Sequence, residues 1–155
     1  MLPVCSMVER IRSRIISSAH EAARWVSLFP LEYRDEKVAK RYVDEWKSIH
    51  DFLDRGKGTA VEHSLLLCGL LLGFGLKAYI CLGAGLDGSH AWVITCDDSE
   101  LDDDEEKRPS EIAISSWKFW ESLTGRVYHQ HDPRINYFYR TVGCIFNDRE
   151  FYANV

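Results

Sequence analysis

Twelve residues, Leu65 to Leu76, read LLLCGLLLGFGL. A helix drawn from Thr59 to about Gly73 is apolar on nearly every side beyond its first turn. Such a helix has no face to show to water, so other elements must enclose it. The run is far short of the roughly 20 apolar residues a bilayer requires, and no membrane span is expected. Only Glu62 and His63 interrupt the apolar surface, both near the N-terminal end, where a carboxylate suits the helix dipole. Thr59 is the expected N-cap, and Gly56 and Gly58 close whatever precedes it.

Two amphipathic helices are expected upstream. One runs from Val8 to Phe29 along Ile11, Ile15, Ala19, Ala22 and Val26 and ends before Pro30. The other runs from Asp35 to Asp54 along Val38, Tyr42, Trp46, Ile49 and Leu53. Downstream, KAYICLG and SHAWVITC read as two strands of a hairpin, with GAGLDG as the glycine-rich turn. IAISSWKFWESLTG, RVYHQH and RTVGCIFNDREFYANV supply further antiparallel strands, with turns at Gly125 and around Asp132 and Pro133. Helices first and strands after them predict an α+β domain, with the buried helix packed on an antiparallel sheet. At 155 residues, 46% hydrophobic, the chain is expected to be one domain: a helical part over 1–57 and a core over 58–155. Its strand-like C-terminus, without a polar tail, is expected of a domain cut from a longer protein.

The net charge of −5 belongs to one place. Asp97 to Glu106 carries eight acidic residues and no basic one, so 97–108 is expected as a solvated acidic loop. No basic stripe with stacking aromatics points to nucleic acid. The five cysteines, Cys5, Cys68, Cys81, Cys96 and Cys144, are odd in number and scattered. That predicts reduced thiols in the cytosol. No CxxC spacing supports a metal site, and no cofactor is implied.

One constellation carries possible chemistry. A helix N-terminus lowers a thiol pKa and offers donors to an oxyanion. His90 stands at the start of a strand, and Glu121 lies in the next long strand. A histidine and a carboxylate on neighbouring strands can form the base and orienter of a Cys–His–acid site, provided both point to one face. The bland alternatives are a core histidine and a surface glutamate. Trp92 and Trp120, with Glu62 and His63, are the candidate lining of a binding groove, although all four suit a core or capping role as well.

Buried helix, SHAW and FWES, in that order, resemble the transglutaminase-like fold of the papain-like thiol enzymes. The segments EHSLLLCGLLLGFGLKAYICLG, HAWVITC, FWESLTG, YRTVGCIFN and FYAN match its ciliary and centrosomal branch best, covering Gly58 to Asn154. In the enzymes, Gly-x-Cys opens the helix, His-x-Trp supplies the base and the following strand supplies the acid. By that resemblance, the nucleophile position falls on Ala60, the base on His90 and the acid on Glu121, where the enzymes usually carry aspartate. The resemblance therefore implies a pseudoenzyme. It further implies a cytoplasmic setting at the centrosome, centriole or cilium base, with protein or peptide partners such as centrosomal proteins or tubulin tails. The competing expectations are an active cysteine peptidase or transglutaminase with a displaced nucleophile, and a purely structural spacer.

Overall fold

The computed structural model describes residues 16–33, 47–97 and 116–154. Expectations that fall on 1–15, 34–46 and 98–115, including Cys5 and most of the acidic loop, lie outside them. Helix α1 spans Ala19–Ser27, capped by the Ser18 hydroxyl on the Glu21 N–H, and buries Ala22, Ala23 and Val26. Helix α2 spans Ile49–Arg55. The expected continuous helix from Asp35 to Asp54 is broken here, because Ser48 is extended and forms a capping box with Asp51. Two local hydrogen bonds to the backbone offer the chain an alternative to helix at this point, and apolar periodicity alone does not report it. Gly56, at φ 64°, ends α2 as expected.

Helix α3 spans Ala60–Gly73, with Thr59 as N-cap and Glu62 closing the capping box. Six antiparallel strands follow: β1 (Lys77–Gly85), β2 (Gly88–Asp97), β3 (Ser116–Glu121), β4 (Arg126–His129), β5 (Tyr139–Phe146) and β6 (Phe151–Ala153), with a short helix α4 (Ile135–Phe138) before β5. Their order in the sheet is β4-β3-β2-β1-β5-β6. Helix α3 lies between α1 and one face of the sheet, against β1 and β2. Leu66, Leu67, Leu70 and Leu71 meet Ala22, Ala23 and Val26 on one side and Ala78, Ile80, Val93 and Trp120 on the other. The opposite face of the sheet carries a second cluster, built from Tyr79, Cys81, Trp92, Ile94, Tyr128, Ile135 and Tyr139.

The glycine-rich segment after β1 is only partly a turn. The strand continues through Gly83 and Gly85, and Leu86 and Asp87 alone make the turn between paired Gly85 and Gly88. Gly83 and Gly85 lie on the same face as Tyr79 and Cys81, since side chains alternate along a strand. They leave that end of β1 without side chains. A methyl group at Gly83 would run into the Thr141 carbonyl of β5 and stand 3.0 Å from Trp92 Cη2. One at Gly85 would stand 3.1 Å from the Phe138 carbonyl oxygen and 3.2 Å from His90 Cβ.

Gly83→Ala must therefore push β5 off β1. A destabilisation of about 3 kcal/mol, at the upper end for overpacking, is expected in urea unfolding. Gly143→Ala meets only the Leu82 carbonyl oxygen, at 3.3 Å, and should cost much less. Equal losses for the two would refute this account of the strand.

Candidate functional site

His90 and Glu121 meet. Val93 pairs with Trp120 across β2 and β3, which puts Glu121 beyond the last paired position and His90 diagonal to it. Diagonal neighbours on one face are within reach of long side chains. The His90 Nε2–H donates to Glu121 Oε2 at 2.8 Å, with the two side chains 21% and 13% exposed. A neutral imidazole that carries its proton on Nε2 keeps a lone pair on Nδ1. The carboxylate thus orients the ring so that Nδ1 is the nitrogen able to accept a proton.

Glu121 is held by more than His90. The Tyr139 hydroxyl donates to the same Oε2 at 3.3 Å, and the Leu123 backbone N–H donates to Oε1 at 3.3 Å. Burial, and after it the charge of Glu121, pushes the Tyr139 hydroxyl well above the usual phenol range, so it remains a donor. The rings of His90, Trp92 and Tyr139 stand close: 4.7 Å between Trp92 and Tyr139, and 6.0 and 6.4 Å from His90 to each. Tyr139 is the member of this site that sequence reasoning missed. It sits in β5, two strands away from β2, and only the β1–β5 pairing brings it here.

Ala60 is the first residue of α3 and is half-buried. One turn further on, the Ser64 hydroxyl lies 3.0 Å from that of Ser122, the residue after Glu121, and both serines are fully buried. This bond ties the first turns of α3 to the end of β3 that carries Glu121.

The four groove candidates lie in the interior: Glu62 and His63 are 3% and 0% exposed, Trp92 and Trp120 0% and 2%. Glu62 accepts from Arg55 at 3.0 Å and from the Thr59 N–H at 2.9 Å. His63 places its ring nitrogens 2.7 Å from the Thr59 carbonyl and 3.0 Å from that of Phe29, edge-on to Phe52. The Trp120 indole donates to Thr95 at 2.9 Å, and Trp92 is covered by Tyr139. These contacts brace the start of α3 and both sheet faces. Glu62→Ala removes an ion pair and half of a capping box, and should cost about 2–4 kcal/mol in chemical denaturation. A cost below about 0.5 kcal/mol would show that neither contact matters to the fold.

Among the described residues, no group of histidines, cysteines and carboxylates is arranged to hold a metal ion, and no helix is long and apolar enough to cross a membrane. None of the described cysteines is in a disulfide: Cys68, Cys81 and Cys96 are buried and Cys144 is half-buried. Burial, with Asp148 adding to it, pushes the Cys68 thiol up to about 12, and burial likewise takes Cys81 to about 12. At pH 8 only about one such thiol in ten thousand is ionised. Cys68 and Cys81 should therefore resist iodoacetamide in the folded chain and react only on unfolding. Selective native alkylation of either would revive the displaced-nucleophile reading.

A family model for the CEP76 peptidase-like domain matches residues 44–155. The chain belongs to this family. Centrosomal protein of 76 kDa from Xenopus tropicalis is 36% identical over 165 aligned positions, which take in 98% of this chain and 23% of that protein. The Homo sapiens protein of the same name gives the same figures. Human protein CC2D2B is 31% identical over 136 positions, covering 86% of the chain and 8% of that protein. The chain thus spans about a quarter, or less, of the length of these relatives. Among solved structures, EGTA-treated Legionella pneumophila LapG superposes with a TM-score of 0.66 at 13% identity, over 96% of this chain and 74% of that one. That likeness establishes the fold: helices on an antiparallel sheet, in the transglutaminase-like arrangement. The chain has the expected α+β architecture.

Proposed function

We propose that this domain is a catalytically silent transglutaminase-like module that binds a protein or peptide within a centrosomal or ciliary protein. One observation carries the reading: alanine opens α3, while the His90–Glu121 pair and its supports remain assembled. Acyl transfer needs a nucleophile that bonds to the carbonyl carbon, and a methyl group has no lone pair to give. Losing the nucleophile removes most of the activity of such a site even where the base persists. The names of the relatives support a cytoplasmic, centrosomal setting for this chain. Within it, centrosomal proteins or tubulin tails are the proposed partners.

Substitution A60C tests the residue assignment. On this assignment a thiol at the first position of α3 gains from the helix N-terminus and faces the His90 Nδ1, so it should ionise below the ordinary thiol range. At pH 6 its alkylation should exceed that of every native thiol by at least about tenfold, and H90A in the same background should abolish the excess. The parent chain should neither cleave peptides nor join amines to glutamine. Turnover by the parent, lost with H90A, would show an enzyme instead. Tubulin-tail peptides and fragments of centrosomal proteins should bind the parent, and the double variant H90A/E121A, still folded, should weaken that binding. Binding indifferent to both substitutions would favour the spacer reading.

A further inference from the structure

The contact between Tyr139 and Glu121 spans the sheet. Tyr139 lies in β5 and Glu121 in β3, with β1 and β2 between them. A side chain reaches that far only where the intervening strand is bare. Gly83 and Gly85 make β1 bare at this level, and Tyr139 pairs directly with Gly85. The Tyr139 ring then rests 4.7 Å from Trp92, near-parallel to His90 and Phe119, and its hydroxyl ends on Glu121 Oε2.

We propose that Tyr139 is the positioning residue of this site: it fixes the Glu121 carboxylate so that Oε2 stays on the His90 Nε2–H. A carboxylate at the end of a strand has free rotation about its side-chain bonds, and one partner does not determine it. Three donors do. His90 and Tyr139 share Oε2, and the Leu123 N–H takes Oε1, so rotation of the carboxylate breaks at least two bonds at once. None of these three bonds involves residue 60. The role assigned to Tyr139 rests on the reading of His90 and Glu121 as the base and acid of a thiol-enzyme site.

The test uses the parent chain with 15N-labelled histidine. The His90 Nε2–H should exchange slowly with water, and Tyr139→Phe, which keeps the ring and deletes one hydrogen bond, should speed that exchange about fivefold or more. Unchanged exchange in the folded variant overturns the proposal. Should the variant fail to fold, the parent provides a second measurement. Two protons on one oxygen are close, so the Tyr139 hydroxyl proton and the His90 Nε2–H should show a strong nuclear Overhauser effect. Its absence likewise overturns the proposal. In the A60C background, Y139F should lower the pH 6 alkylation rate about fivefold and move the acid limb of its pH profile, which a loss of packing alone does not do. If H90A leaves the A60C rate unchanged while Y139F still frees the Nε2–H, the thiol-site reading fails and Tyr139 remains the holder of the carboxylate. If H90A slows A60C but Y139F moves neither readout, Tyr139 is only packing.

Discussion

An apolar helix with no wet side sets the terms for this fold. Each face of α3 needs a partner, and two layers supply them: α1 above and the β1–β2 face of the sheet below. Burying a leucine side chain is worth about 2 kcal/mol, so the four buried leucines of α3 are a large share of a domain's net stability. The same enclosure creates a problem at the N-terminal end, where free N–H groups and the side chains of Glu62, His63 and Ser64 are also taken from water. Each of these polar side chains has a partner: Arg55 and the Thr59 N–H, two carbonyl oxygens, and the Ser122 hydroxyl. Buried polar groups are in the large majority hydrogen-bonded. The loop before α3 and the end of β3 are thereby fastened to the helix start.

That fastening has a geometric consequence. Ser122 follows Glu121 directly, so anchoring Ser64 to Ser122 also fixes the acid relative to the helix that begins at Ala60. The strand register fixes His90 relative to the acid. Stability and candidate site are therefore one construction: the contacts that let the helix be buried also define where His90 and Glu121 stand. None of these contacts involves the side chain of residue 60.

Much of this was legible in the sequence, for local reasons. Periodicity marks α3, a capping residue marks its start, and paired apolar runs around glycines mark the β1–β2 hairpin. His90 and Glu121 could be expected to meet because they lie on neighbouring strands; that both point to one face came only with the β2–β3 register. What was not legible depends on pairing between distant segments. Tyr139 has no local signature of function; only the β1–β5 register delivers it. Gly83 and Gly85 read as turn residues, since the need for a bare strand becomes visible only with Tyr139 in place. Glu62 and His63, the two polar interruptions of an apolar helix, read equally as caps of its first turn or as groove lining, and Arg55 and two carbonyl oxygens hold them inside. The break at Ser48 was hidden by an apolar stripe that continues across it.

A buried or half-buried ionisable pair is costly to dismantle one side at a time, because the partner left behind is unpaired. Glu121 extends that argument to three donors, two of them side chains from different strands. Changing His90 alone would leave the carboxylate with Tyr139 and Leu123; changing Glu121 alone would strand both His90 and the buried Tyr139 hydroxyl. Ala60 has no such ties. It contributes a methyl group to the start of a helix whose cap is made by its neighbours Thr59 and Glu62. Residue 60 can therefore vary at little structural cost while the His90–Glu121 pair stays in place.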